Sequence, residues 1–551
     1  MRSGHPLSDS GNSKGEMNQI DDKAAEIVHQ RKQSRDWMEN TYWSEWEEVY
    51  KNYKCFVDVR KDADGDDDPD KTHIGMPDTF ALVNRRTARI TANLPDVNFI
   101  ANDRNGPLER AVSRKVMWDW DNGKVQRQQK KHVRQAELFG WSVRGWWWDV
   151  DEYQRKRGID ISDPMAIAPT DLELIAKTYQ VPNQAMLQDP GVLANLQKQF
   201  GKRGLLDVRY TYKAYEGPRS RVLFIGDCFP EPFFDSIQES AYFIIERRRT
   251  KDWLIKLGKR FPECQAGVMK LLEMYPNGTE IGAGANRDES YLRDNMRAAI
   301  GYATTSEARA MDQATGSNTW SILERWTPGE KSYVDYVGEE TVHIGRLRSP
   351  YDLDGKIPFT ELILIDEIMG GVGDSVARIT RGLQQMHNVA TNRRFDLYRH
   401  VSQPLMFTSS REYYDNPGLL RRDNMRLVFS RGGPASVWTM NESQAMAAMA
   451  ASMSEESAQQ RMFQMAGGDS NMSMAANVDP AQLRTATGAR MLQANQDVLT
   501  KDLVDQFQTT SVQCDAEMIY LFNRSEMADA VRIDPVPYER AADARNGRGL
   551  P

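Results

Sequence analysis

Residues 319–348 read TWSILERWTPGEKSYVDYVGEETVHIGRLR, and this stretch does most to decide the class of fold. It contains three runs of strand length, TWSILERWT, PGEKSYVDYVG and ETVHIGRLR, in which β-branched and aromatic residues recur. Runs of this kind, separated by turns that contain glycine, are typical of antiparallel strands. The stretch therefore predicts a small β meander, and KIPFTELILIDE (356–367) leads out of it.

Helical patterns lie on both sides of the meander. On the N-terminal side the sequence predicts helices, strands and a final short helix, at residues 21–54, 77–95, 107–139, 141–153, 205–229, 241–250 and 250–262. On the C-terminal side, a three-and-four spacing predicts a long helix over 373–401, with an apolar stripe of Val376, Ile379, Leu383, Met386, Val389 and Ala390. Short strands, a Met-rich helix and a second long helix over 483–525 follow. The predicted class is α+β.

Composition and charge limit the classes of function. A chain of 551 residues can form several domains or one large fold, and 40% hydrophobic with 27% charged residues is ordinary for a soluble protein. The net charge of -7 argues against a general nucleic-acid binder, because phosphate binding needs a basic surface. One local basic cluster stands out, formed by Arg127, Lys130, Lys131, His132 and Arg134. It is interpreted as a solvated helix face, with contact to DNA as the alternative.

Other features exclude targeting and metal motifs. The four cysteines, Cys55, Cys228, Cys264 and Cys514, lack the spacing of metal ligands and are expected to be free thiols. No run of about 18 apolar residues predicts a membrane span, and residues 1–20 are expected to form a disordered tail. The acidic run 61–71 has Asp67 where an EF-hand loop needs glycine, so it is expected to be a solvated loop.

No catalytic motif is recognisable in the sequence. The Gly-Lys pairs are not followed by Ser or Thr as in a P-loop, and the HExxH and GxSxG patterns do not occur. Carboxylate pairs such as Asp149 with Asp151 are too common to indicate a site by themselves. The chain is therefore not expected to be an enzyme, and no catalytic residue, metal or cofactor is predicted. A metal-dependent DNA-processing enzyme is the alternative that remains.

The order of the predicted elements, together with three stretches, resembles the portal proteins of tailed bacteriophages, above all those of short-tailed phages. IGDCFPEPFFDSIQESAYFIIERRRTKDWLIKL (225–257) is similar to a wing segment of that family. GDSVARITRGLQQMHNVATNRR (373–394), after IPFTEL, is similar to the exit from the clip into a stem helix. TATGARM (485–491) is similar to the start of the long wing helix. The likeness covers about residues 30–525.

The resemblance implies a portal fold that assembles into a ring, with long stem and wing helices, a mixed α/β wing and a small β-rich clip. It divides the chain into a disordered tail (1–20), wing (21–250), first stem region (251–318), clip (319–362), second stem helix (363–403), wing strands with Met-rich helix and tunnel loop (404–482), long wing helix (483–525) and a short crown or frayed tail (526–551).

The family's function and partners follow from the same resemblance. Portal proteins form the channel at one capsid vertex for DNA packaging, retention and ejection, usually as dodecamers, in the virion and, during assembly, in the host cytoplasm. The implied partners are further copies of the chain, double-stranded DNA, the large terminase ATPase, head–tail adaptor or tail proteins, and the major capsid and scaffolding proteins. No membrane partner is implied. Another head–tail connector or a minor head protein is the alternative.

Two groups of candidate site residues follow from the resemblance. The tunnel loop would contain Gly467, Gly468, Asp469, Asn471, Met472 and Met474, where glycine supplies freedom and methionine an adaptable surface toward DNA. The alternative is that these methionines fill an ordinary core. The stem would contribute Arg378, Arg381, Arg393 and Arg394. These arginines would either form basic rings that steer DNA or bridge neighbouring stem helices in the assembly.

Overall fold

The structure is a computed structural model, and it describes most of the chain in separate ranges. These are residues 12–57, 72–92, 97–99, 106–160, 205–276, 319–367, 370–402, 405–408, 426–429, 438–439, 442–466 and 501–526, with single residues or pairs between 175 and 199 and at 278, 296 and 411. The predicted tunnel loop, most of residues 277–318 and the end of the chain lie outside the described residues.

Helices and strands alternate in blocks along the chain. The helices are α1 (Asn12–Met38), α2 (Ser44–Tyr53), α3 (Asp78–Ile90), α4 (Gly106–Asn122), α5 (Val125–Phe139), α6 (Lys251–Arg260), α7 (Pro262–Met274), α8 (Val376–Ile379), α9 (Arg381–Ser402), α10 (Glu442–Ala466) and α11 (Gln513–Glu526). The strands are β1 (Ser142–Asp160), β2 (Leu205–Val222), β3 (Cys228–Pro230), β4 (Phe243–Thr250), β5 (Thr319–Thr327), β6 (Tyr333–Gly338), β7 (Val342–Arg348), β8 (Phe359–Leu362), β9 (Leu405–Thr408), β10 (Arg426–Phe429) and β11 (Trp438–Thr439). The mixed content agrees with the predicted α+β class.

The predicted meander is confirmed as part of a larger antiparallel sheet. Strands β3 to β7 lie in the order β3-β4-β5-β6-β7, and every neighbouring pair is antiparallel. Strand β4 pairs with β5 along its whole length, from Phe243 opposite Trp326 to Thr250 opposite Thr319. The meander therefore shares one sheet with a strand that lies before it in the chain by some seventy residues.

Helices cover this sheet and close the core. Helix α1 packs against β3 and β7, and α7 packs against β7. The approach of α7 is so close that a Cβ on Gly267 would lie 2.2 Å from the carbonyl oxygen of Ile344, which only glycine permits. The principal core contains buried aromatic residues from helices and strands together, including Trp46, Trp141, Phe243 and Phe359.

The chain divides into two compact units. The first comprises Met1–Val97, Gln126–Gly145 and Arg221–Met518, and it holds the five-stranded sheet. In this unit the first four residues of β1 pair with β8, Ser142 opposite Leu362. Strands β10 and β11 flank β9, parallel and antiparallel respectively, which confirms the short strands predicted after Pro404.

The second unit comprises Asn98–Val125, Trp146–Ser220 and Ile519–Pro551. Its interior contains the carboxylate of Asp119, which accepts from Lys115 Nζ at 2.6 Å and from Asn523 Nδ2 at 2.7 Å. The ring of Trp118 stacks on that of Tyr215 with centroids 5.8 Å apart. This unit is therefore held together around a satisfied polar group and an aromatic pair.

Several predicted boundaries are corrected. Helix α1 begins at Asn12, so that residues 12–20, expected in a disordered tail, are helical. The helix predicted over 107–139 is broken between α4 and α5, because Lys124 adopts a left-handed conformation with φ of 58°. The two strands predicted at 205–229 are instead the long strand β2, a 3-10 turn and the short β3.

The long helix predicted over 373–401 is also interrupted. It consists of α8 and α9, separated at Thr380, whose φ and ψ of -89° and 0° depart from helical values. The hydroxyl of Thr380 donates to the carbonyl oxygen of Val376 at 2.8 Å, a local bond that bends helices. None of the helices in the described part of the chain combines the length and apolarity of a membrane span.

Candidate functional site

Helix α9 buries a polar face and exposes apolar side chains, the reverse of an ordinary surface helix. Its predicted apolar stripe is divided: Ile379, just before α9, Met386 and Val389 face outward and are 49%, 54% and 39% exposed, whereas Val376 is buried and Leu383 packs against the principal core. The opposite face is polar and buried, and it comprises Gln384, His387, Asn388, Thr391 and Asn392. A helix of a globular protein normally buries its apolar stripe, so this orientation needs a physical cause.

The cause is a ladder of polar side chains on the buried face. Residues Gln384, Asn388, Asn392 and Asp396 follow one another at intervals of four and so lie in one row. Their oxygens accept from the backbone N–H groups of Thr79, Met76, Ile74 and Thr72, at 3.1, 2.9, 2.8 and 2.9 Å. The amides of Gln384 and Asn392 also donate to the carbonyl oxygens of Met76 and Ile74, at 2.7 and 3.0 Å.

The ladder therefore holds residues 72–77, here called the strap, along α9. Four residues of a helix rise by about 6 Å, and two residues of an extended chain by about 6.6 Å. Because these distances nearly match, one side chain per helical turn meets every second residue of the strap. The Gln384, Asn388 and Asn392 side chains of the polar face are satisfied in this way, whereas the buried Thr391 hydroxyl has no partner among the described residues.

A charged cluster fixes both sides of α9 beside the strap. His387 contacts the carboxylate of Asp78, at the start of α3, through Nδ1. Its Nε2 lies 3.3 Å from Glu456 of α10. The guanidinium of Arg394 binds the same Glu456 carboxylate. One glutamate of α10 therefore joins two residues of α9.

The four candidate stem arginines have different environments. Arg378 lies 2.8 Å from Glu45 of α2 and 3.0 Å from Asp374. Arg381 lies 3.1 Å from Glu48 of the same helix. Arg394 pairs with Glu456 as above, whereas Arg393 is exposed and forms no ion pair with the residues that the structure describes. Three of the four therefore pair within the chain, and bridges between copies remain a prediction.

The basic cluster predicted on α5 is split between core and surface. Four of its side chains are exposed and form no ion pair within the described ranges: Arg127, Lys130, Lys131 and Arg134. His132 is instead buried, and its Nδ1 lies 2.7 Å from the Ser142 hydroxyl. Burial, with the positive charge of Arg144 as a second cause, holds the pKa of His132 well below its usual value. The exposed part is open to solvent, which fits both the predicted solvated face and its alternative, contact with DNA.

A buried ion pair lies close to the same part of the first unit. Arg144 and Asp515 are both fully buried, 2.6 Å apart, and Asp515 also accepts from the Thr360 hydroxyl at 3.0 Å. Burial raises the pKa of Asp515, although Arg144 opposes this shift. Within the described ranges, no three His, Cys, Asp or Glu side chains lie together so as to hold a metal ion. The pair is a structural link between β1 and α11.

The sequence alone did not predict the ladder. Its signal is present as Gln, Asn, Asn and Asp at intervals of four, but polar residues on one helix face normally indicate solvent. The tunnel-loop residues lie outside the described residues, so their arrangement stays a prediction. No known family model matches this chain, and no curated protein matches it.

Proposed function

We propose that this chain is a portal protein of a tailed bacteriophage, which forms the ring-shaped channel at one capsid vertex for DNA packaging, retention and ejection. The order of helices and strands supports the proposal, since it resembles that family. The single observation that carries it furthest is the outward apolar face of α8 and α9, here called the outer face, formed by Ile379, Met386 and Val389.

The outer face requires a partner because its opposite side is already occupied. The strap and the ladder satisfy the polar face within the chain, so rotation of α9 to bury the stripe would break these hydrogen bonds. Grouped apolar side chains on a surface are typical of protein–protein contacts. A second copy is the partner that is always available at matching concentration.

A ring needs two different surfaces that meet head to tail. Helix α10 offers the second surface, since it packs against α9 and exposes Met453 and Met462. Unbranched methionine side chains adapt to a facing surface better than branched ones. We infer that the outer face of one copy meets the exposed side of α10 in the next. DNA, terminase, adaptor, capsid and scaffolding proteins are then the further partners.

Native mass spectrometry with negative-stain imaging of the full chain tests this proposal. We expect rings of about twelve copies with a central hole, since closed rings repeat one contact. Met386→Asp places a charge in the outer face and is expected to give monomers. Met269→Asp is the matched control, because Met269 is 64% exposed on α7, away from α8 and α9.

Two outcomes would contradict the proposal. A wild-type chain that stays monomeric at micromolar concentration and with scaffolding protein present would remove the ring. Compact oligomers without a hole would favour another head–tail connector or a minor head protein. If the Met386→Asp variant still forms rings, the ring proposal stands, but the outer face is not the contact between copies.

A further inference from the structure

A polar cavity lies between α1 and the meander, far along the chain from the outer face. Its volume is about 210 Å³. The polar side chains that line it come from four elements and are Lys23, Glu26, Arg325, Thr327, Asp335 and Arg346. Three cations and two carboxylates leave it one formal positive charge.

The strand register places the charges of this cavity in one row. Arg325 of β5 is opposite Asp335 of β6, and Asp335 is opposite Arg346 of β7. The Asp335 carboxylate lies 3.7 Å from Arg325 and 3.8 Å from Arg346. His343 lies 3.6 Å from the same carboxylate. These distances exceed normal hydrogen bonds, so attraction is present without direct bonding.

Three polar atoms in the cavity wall are buried without a hydrogen-bond partner among the described residues. They are Nε of Arg325, the hydroxyl of Thr327 and Oδ2 of Asp335, and Asp335 itself is only 2% exposed. Buried polar groups in proteins nearly always have partners. Arg325 and Thr327 need an acceptor, whereas a carboxylate needs a donor. One occupant that both accepts and donates hydrogen bonds would satisfy all three atoms.

We propose that this cavity binds a protonated phosphate group, either inorganic phosphate or a phosphomonoester. Its oxygens accept from Arg325 and Thr327, while Lys23 and Arg346 supply further positive charge. Its P–OH group donates to Asp335. Sulfate and a phosphodiester carry no proton to donate between about pH 6 and 7, whereas part of the inorganic phosphate does, and so does a phosphomonoester near its second pKa of about 6. The cavity therefore rejects both sulfate and the backbone of nucleic acids.

Isothermal titration calorimetry on the full chain at a pH of about 6, where a monoester still carries its proton in part, tests the site with four probes: inorganic phosphate, glycerol 2-phosphate, sulfate and dimethyl phosphate. We expect saturable binding of phosphate, and sulfate and dimethyl phosphate at least roughly tenfold weaker, because each leaves the carboxylate without a donor. Binding of the monoester as well would assign the site to phosphorylated ligands, and its exclusion would assign it to the free ion.

Variants separate this chemistry from general attraction of anions. Asp335→Asn supplies a donor, so sulfate is expected to bind as well as phosphate. Arg346→Gln should weaken phosphate roughly tenfold. Arg348→Gln should not, since Arg348 lies on the same strand outside the cavity lining. Thermal unfolding of each variant checks that the sheet is intact.

The proposal is overturned if phosphate shows no saturable binding to the wild-type chain. It is also overturned if sulfate and phosphate bind equally, which would mean that positive charge alone attracts anions and that no phosphate proton is used. Neither result depends on the ring, because the cavity and the outer face share no residue.

Discussion

Helices α5 and α9 belong to the same unit, yet they face opposite ways. Helix α5 buries Val133 and Ala136 and exposes four cations. Helix α9 buries Asn388 and Asn392 and exposes Met386. The first arrangement costs nothing in water, because cations are well solvated. The second leaves apolar area in water, which the fold tolerates only because the strap satisfies the polar face.

The different exposed faces of α5 and α9 indicate where a protein partner and a nucleic-acid partner would bind. An exposed apolar face gains free energy when another surface covers it, and this points to a contact between chains. An exposed basic face attracts phosphate groups only at long range and is screened by salt. Helix α9 is thus the candidate for assembly, and α5 the candidate for a weak contact with DNA.

The largest expected effect comes from breaking the polar side of α9. Asn388→Leu with Asn392→Leu removes the acceptors of two strap N–H groups and should lower the free energy of unfolding by about 1–3 kcal/mol. The shift of the urea midpoint in a Met386→Asp background measures it, since this variant is expected to be a monomer. Gln385→Leu, on the exposed side, is the control. If the double variant and the Gln385→Leu control have equal urea midpoints, the ladder does not stabilise the fold.

A second effect concerns the buried histidine of α5. Because the pKa of His132 in the folded chain is lowered, the unfolded chain binds a proton that the folded chain does not. Stability should therefore fall as the pH drops below about 6.5, by up to about 1.4 kcal/mol per pH unit. His132→Gln should reduce this slope relative to the wild type. Buried carboxylates such as Asp515 act in both proteins and cancel in the comparison. If the free energies of unfolding of the wild type and His132→Gln fall equally with pH, His132 is in contact with water in the folded chain.

A smaller effect separates the arginines of α9. Arg381→Gln removes the ion pair with Glu48 and should cost about 0.2–1 kcal/mol in the monomer. Arg393→Gln removes no ion pair within the described ranges and should cost less. If both variants lose the same free energy in urea, the pairing of Arg381 with α2 contributes nothing.

The smallest expected change is on the exposed face of α5. Replacing Arg127, Lys130, Lys131 and Arg134 by Gln should leave the free energy of unfolding within about 0.5 kcal/mol. The same variant should weaken binding of a duplex DNA at low salt, as fluorescence anisotropy measures. Equal changes on replacing Lys251, Lys256, Lys259 and Arg260 of α6 would show only a general charge effect.

The sequence predicted local features better than distant contacts. The runs of β5, β6 and β7 were visible because apolar and aromatic residues cluster between turn residues. The pairing of β4 with β5 was not, since a register across some seventy residues leaves no local pattern. The spacing located the apolar positions of α8 and α9 but not which of them face outward, because that depends on the strap, a contact between residues more than three hundred positions apart.

Oxidative footprinting of methionine in the assembled protein tests the outer face most directly. Exposed methionine is oxidised readily, and Met386 and Met269 are 54% and 64% exposed in the single chain. We expect Met386, Met453 and Met462 to be protected in the ring and reactive once it is dissociated, while Met269 reacts equally in both. A ring in which Met386 is oxidised as fast as Met269 would show that no second copy covers this face.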